Sequence, residues 1–135
     1  MKRFSYFISL LTTIILLGCD SNDVTVNLNT ESDLLFSGTF NTIDSENLSG
    51  TVTLQIANGH YHCSTNLPFG QGAGKIEMKE STLHFNDTLF FPVPAIYGPS
   101  YVLSGQLHYT FDGENLILWK TKNVGEIEYH LILKK

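Results

Sequence analysis

An all-β fold, a single antiparallel meander closed into a small barrel or sandwich of about seven to eight strands, is what the sequence after residue 33 predicts. Three observations predict it. Short runs in which apolar and polar side chains alternate follow one another along the chain, the period of half-buried strands. Turn residues, among them Asn58-Gly59 and Asp112-Gly113, stand between the runs. No stretch carries a 3.6-residue apolar period, so a parallel α/β arrangement has no helices from which to build its crossovers.

The first run is residues 34–40, with Leu34, Phe36 and Phe40 on one face and Gly38 at a kink or a close approach. Residues 44–50 form a polar turn. Residues 51–57 follow with Val52, Leu54 and Ile56 facing one way, up to Asn58-Gly59. That dipeptide between alternating runs predicts a two-residue type I′ hairpin, because both central positions need positive φ. The register follows: Ile56 lies opposite Tyr61 and Leu54 opposite Cys63, so the apolar faces coincide. Thr53, Gln55, His60 and His62 take the other side.

Gly70, Gly72 and Gly74 interrupt the pattern, and Gly70-Gln71-Gly72-Ala73-Gly74 reads as a flexible turn. A phosphate loop is excluded, since the lysine and the helix that complete one are missing. A second hairpin follows, 75–79 and 82–86 around Glu80 and Ser81, pairing Met78 with Leu83 and Ile76 with Phe85. The long connection over residues 87–100 holds three prolines and several aromatic residues, which excludes a regular central strand. Alternation resumes over 101–111 with Leu103, Leu107, Tyr109 and Phe111 inward. Strands over 115–121 (Leu116 and Leu118 inward) and 126–133 (Ile127, Tyr129, Leu131 and Leu133 inward) complete the meander. Val102, Ile117, Trp119 and Ile132 alternate out of step with these and make a second apolar surface. The expectation is that residues 24–28, themselves alternating, fold over it.

The front of the chain reads as an address. Lys2 and Arg3 precede fourteen mostly apolar residues, Phe4 to Leu17, whereas a helix needs about 20 to cross a bilayer. With that order it is a secretory signal and not a permanent span. Leu16-Leu17-Gly18-Cys19 resembles the lipobox of bacterial lipoproteins, which implies cleavage before Cys19 and acylation of that cysteine. Two or three acyl chains, at about 0.8 kcal/mol per buried methylene, would hold the protein stably at a membrane. The predicted organisation is a signal peptide over 1–18, an acylated cysteine and polar tether over 19–33, and a β-barrel or sandwich domain over 34–135. Asp20 resembles an inner-membrane retention signal of enteric bacteria. A composition rich in Asn, Ile, Phe and Lys is similar to that of the Bacteroidota, where lipoproteins reach the outer membrane, the location favoured here.

The formal net charge of −5, or −7 once Lys2 and Arg3 are removed, argues against a nucleic-acid partner, which requires a basic face. Cleavage would leave 117 residues, enough to hide roughly 60% or more of the unfolded surface without staples. If Cys19 carries lipid, Cys63 has no disulfide partner, and its place among alternating apolar residues predicts a small buried hydrophobe.

The order of a Gly-led strand (74–79), Leu83-His84-Phe85-Asn86, a long aromatic connection and Leu103-Ser104-Gly105-Gln106-Leu107-His108-Tyr109-Thr110-Phe111-Asp112-Gly113-Glu114-Asn115-Leu116-Ile117-Leu118 resembles the small lipocalin-like lipoproteins of Bacteroidota. The tail, 129–135, is similar to theirs as well. The likeness covers about residues 34–135 and implies a β-barrel fold. It carries over no functional residues, and the Gly-x-Trp of lipocalins is absent, the sole tryptophan being Trp119.

No catalytic machinery is predicted. His60, His62, His84, His108 and His130 all point away from the core by parity, and no third ligand stands at a fixed spacing from His60 and His62, so no metal site and no cofactor are expected. There is no Gly-x-Ser-x-Gly elbow. Asp87-Thr88-Leu89 resembles an O-glycosylation motif of Bacteroidota. The expected role is a lipid-anchored, non-catalytic binding or interaction module of the cell envelope. Its partners would be the membrane, through the anchor, and a small apolar ligand or an envelope protein. Phe90, Phe91, Ile96 and Tyr97 are the candidate ligand-binding residues, since barrel pockets open at strand ends lined by aromatic groups. Two rival readings stand beside this one, a structural lipoprotein with a solid barrel and a metal-dependent enzyme using the histidines.

Overall fold

A computed structural model describes residues 26–43, 48–67, 70–89, 103–122 and 125–135. They form eight antiparallel strands: β1 (Leu34–Ile43), β2 (Ser49–Ala57), β3 (His60–Thr65), β4 (Gln71–Lys79), β5 (Thr82–Asp87), β6 (Gly105–Phe111), β7 (Asn115–Lys122) and β8 (Gly125–Leu133). Each pairs with the next, and β1 pairs with β8, so the meander closes into a barrel with no free edge. There is no helix among the described residues. Of the two architectures open from sequence, the chain takes the barrel.

Closure decides the core. In a strand successive side chains alternate sides, so each strand sends every second residue inward. Phe36 and Phe40 from β1, Leu54 and Ile56 from β2, and Leu116 and Leu118 from β7 are all fully buried or nearly so. Phe36 meets Phe111 edge-on at 6.0 Å, and Phe40 meets Tyr129 at the same distance. Gly38 is where β1 presses against β8. A Cβ built there would sit 1.8 Å from the His130 carbonyl oxygen, the close approach that a glycine inside an alternating strand announces.

The β2–β3 hairpin has the expected register, Ile56 opposite Tyr61 and Leu54 opposite Cys63. Asn58 (φ 52°) and Gly59 (φ 69°) both adopt the left-handed backbone of a type I′ turn. The β4–β5 hairpin likewise pairs Ile76 with Phe85 and Met78 with Leu83.

Two expectations are corrected. Residues 70–74 are not a flexible turn: Gln71 to Gly74 belong to β4 and pair with β3, with Cys63 opposite Gly72 and Tyr61 opposite Gly74. The reason is crowding between backbones, because a Cβ on Gly74 would lie 1.9 Å from the Asn86 carbonyl oxygen. Nor do residues 26–33 cover the outer apolar face. Val26 donates its N–H to the Phe111 carbonyl at 2.7 Å, and the Thr30 and Glu31 carbonyls accept from Gly59 and Asn58 at 3.0 and 3.4 Å. This straps residues 26–33 across one end of the barrel and puts Leu28, fully buried, into the core. Burying Leu28 removes more apolar surface from water than laying it on the outside would. The polar stretch is therefore packed from Val26 on. Leu35 and Ile132 stay outside, 44% and 50% exposed.

The barrel thus has two unlike ends. At the strapped end stand the turns 58–59, 80–81 and 112–114 and the strand termini Leu34 and Leu133. At the other stand the strand termini Ile43, Ser49, Thr65, Gln71, Asp87, Gly105, Lys122 and Gly125.

Candidate functional site: a polar cluster inside the barrel

Among the described residues the interior is mostly apolar; apart from Thr42, fully buried near the end of β1 and accepting from the Leu48 N–H at 2.9 Å, its polar side chains gather at one place. β3 turns Tyr61 and Cys63 inward, two residues apart, and β8 turns Tyr129 inward from three strand steps around the wall. Each is buried because its strand parity leaves it nowhere else to point. The Tyr61 hydroxyl donates to the Leu103 carbonyl at 2.9 Å, and the Leu103 backbone is near enough to Cys63 to favour its thiolate. Leu103 is fully buried two residues before β6, so Tyr61 pins the entry to that strand.

β4 makes room for them. A Cβ on Gly72 would stand 3.6 Å from both the Asp87 carboxylate and the Leu103 carbonyl, and 3.7 Å from the Tyr61 ring. The Tyr61 ring lies beside Gly72, edge-on to Phe85 at 4.9 Å. Asp87 closes β5, its carboxylate accepting from Leu89 N–H at 2.9 Å and Ala73 N–H at 3.3 Å.

The electrostatics follow from burial. Desolvation pushes the Cys63 thiol up to about 11, the nearby Leu103 backbone pulls it back, and the Asp87 carboxylate pushes it up again. Tyr61 is raised by desolvation first, then by Asp87 and by Cys63. Tyr129 is raised well above the ordinary phenol by desolvation, and Cys63 adds to it. All three groups are therefore neutral at physiological pH, and Cys63 is a poor nucleophile.

One atom in this cluster is unsatisfied. Among the described residues, the Tyr129 hydroxyl is the fully buried side-chain polar atom with no hydrogen-bond partner. Leaving such a group unpaired costs about 1–3 kcal/mol, and unsatisfied buried groups mark strain, function, or a missing water or ligand. The hydroxyl can both donate and accept.

Of the residues singled out from sequence, Cys19, Phe90, Phe91, Ile96 and Tyr97 lie outside the described residues. The histidines point outward, as parity requires: His108 stacks on Trp119 with ring centroids 5.6 Å apart, and His130 Nε2 is 3.0 Å from a Glu128 carboxylate oxygen. Among the described residues no three His, Cys, Asp or Glu side chains come together in a group that could hold a metal ion. Cys63 is the buried small side chain expected of it. Thr88 is exposed, its hydroxyl donating to the Ala73 carbonyl at 3.1 Å, a bond that a sugar on that oxygen would remove. Sequence reasoning placed Tyr129 in the core but missed its hydroxyl, because proximity across a barrel leaves no local signal.

No protein-family model matches the chain, and neither a curated protein nor a solved structure is significantly similar to it.

Proposed function

We propose that the protein is a lipid-anchored, non-catalytic binding module of the cell envelope, its barrel taking a small, mainly apolar ligand that offers one hydrogen-bonding group to Tyr129. The unpaired Tyr129 hydroxyl carries this reading. An eight-stranded barrel is just wide enough to be filled by side chains or to hold one small ligand, and an apolar interior with a few polar groups is the usual make-up of such a site. A ligand hydroxyl or carbonyl would satisfy Tyr129, while its apolar remainder fits the surrounding core. Entry would be under the 87–100 connection, after which Tyr61 holds the Leu103 carbonyl. The anchor is supported by the lipobox-like Leu16-Leu17-Gly18-Cys19 and by the charged and apolar order before it. Outer-membrane placement and kinship with lipocalin-like lipoproteins of Bacteroidota remain parts of the same proposal.

A specific observation favours the solid-barrel reading as the second. Leu28 seals one end, and the interior is packed with Phe, Leu and Ile side chains from seven of the eight strands and with Tyr61 and Cys63 from β3. Native mass spectrometry of the acylated protein, taken gently from its own membranes, separates the two. The binding reading expects a non-covalent mass that Tyr129→Phe loses, with palmitate incorporation abolished by Cys19→Ala. A bare acylated mass favours the solid barrel, and palmitate incorporation that survives Cys19→Ala contradicts the anchor.

A further inference from the structure

We infer that the strapped end of the barrel docks on the surface of the bilayer that holds the acyl chains, with Asp87 and Gly105 at the opposite end of the barrel. This rests on the acylation proposed above. The backbone of residues 26–33 is fixed to that end by the bonds from Val26 to Phe111 and from the 58–59 turn to Thr30 and Glu31. The chain therefore leaves the barrel there. Cys19 is seven residues before Val26, a reach of at most about 25 Å even when fully extended.

A tether of that length permits the barrel to tip, so a second feature must choose the orientation. Exposed apolar side chains supply it. Val26 (41%), Leu35 (44%), Met78 (38%) and Ile132 (50%) all sit at the strapped end, and among the described large hydrophobics of comparable exposure Leu89 alone sits at the other. They do not form one compact patch. Leu35 and Ile132 stand on β1 and β8, Val26 beside the end of β6, and Met78 across the barrel on β4. Apolar groups spread around a rim fit a plane better than they fit the pocket of a partner protein.

Charge narrows the kind of plane. The same end carries Lys75, Lys79, Lys134 and Lys135 against Glu31, Asp33, Glu77, Glu80, Asp112 and Glu114, and two of the lysines already pair with Glu77 and Glu114 at 3.6 and 3.7 Å. An acidic excess is repelled by anionic headgroups, where a basic patch would be drawn in. The surface that fits is zwitterionic, with the apolar rim resting at headgroup depth.

The test uses the full acylated protein in phosphatidylethanolamine-rich vesicles, with a nitroxide at Ile132→Cys or, at the other end, at Asn66→Cys. Both positions are exposed, and Cys63 is buried and stays unlabelled in the folded protein. A Cys63→Ala background gives the same comparison if it does label. The expected result is a label at 132 several-fold more accessible to oxygen, relative to a water-soluble nickel chelate, than the label at 66. Exchanging part of the lipid for phosphatidylglycerol is expected to narrow the difference. Equal chelate accessibility at both positions, with acylation intact by mass, overturns the docking while leaving the anchor standing. A mass without acyl chains removes the anchor and the docking together.

Discussion

The two ends of the barrel do opposite things with the same eight strands. At one end short turns and the strap from Val26 to Asp33 close the interior, with Leu28 as the stopper. At the other, an inward-facing polar cluster reaches up from the interior, where the Tyr61 hydroxyl holds the Leu103 carbonyl. Stability is built into the sealed end by apolar burial, which is non-directional. The pinned end relies on a few buried polar atoms that must each find a partner, and Tyr129 has not found one.

Substitutions at the sealed end probe that contrast with the largest effects. Leu28→Ala is expected to cost about 2–5 kcal/mol in denaturant unfolding, as for other fully buried leucines. Leu67→Ala, in the half-buried fringe at the opposite end, is expected to cost clearly less. Equal losses would mean that the strap is no more a seal than a surface loop is.

The polar cluster gives the pH dependence. Cys63 titrates at about 11 when folded against 9.0 when unexposed to the fold. Between those values the unfolded chain has released a proton that the folded chain keeps, so stability falls as pH rises. The loss is about 2–3 kcal/mol from this group across that window. Urea titrations at pH 8.5, 9.5 and 10.5 should show the fall, and Cys63→Ala should flatten it while leaving the part due to the tyrosines. Below pH 9 the thiol contributes no slope.

A smaller effect isolates the pin. Tyr61→Phe removes the bond to the Leu103 carbonyl and is expected to cost about 1 kcal/mol, with faster amide exchange confined to the neighbourhood of Leu103. Exchange that speeds instead around Leu28 would contradict the division between the ends.

The smallest expected change is in the 112–114 turn. Asp112 accepts from Glu114 N–H at 2.8 Å and from Asn115 N–H at 2.6 Å, and its second oxygen takes the Asn115 side-chain amide at 2.8 Å. These bonds, that of the Asn115 side chain foremost, hold the carboxyl down at about 2 against 3.8. Its contribution is thus present above pH 4 and lost as pH falls toward 2. Asp112→Ala should lower the Tm slightly at pH 7 and by less at pH 2.

What could be read in the sequence was what is local. Asn58-Gly59 names its own turn, and the register of two hairpins follows from counting outward. The start of β4 was misread because Gly72 and Gly74 occupy inward positions where apolar residues were sought. Gly72, Gly74, Ile76 and Met78 nevertheless keep a period of two, and that period is the signal that extends the strand. The β1–β8 pairing, Phe40 opposite Tyr129 among its partners, joins distant segments and has no local signature. The cluster was hidden for the same reason. Tyr61, Cys63 and Tyr129 each read correctly as core, but that one hydroxyl would be left without a partner depends on how three walls face each other.

Equilibrium unfolding of Tyr129→Phe against the wild type, with each protein assayed both as taken from its membranes and after unfolding and refolding free of extracted small molecules, tests the central claim most directly. The account predicts that the refolded variant is at least as stable as the refolded wild type, since an unpaired hydroxyl has been removed. It predicts also that only the wild type gains stability in the membrane-derived form. A refolded variant that is clearly destabilised, together with wild-type stability that is the same in both forms, would contradict it.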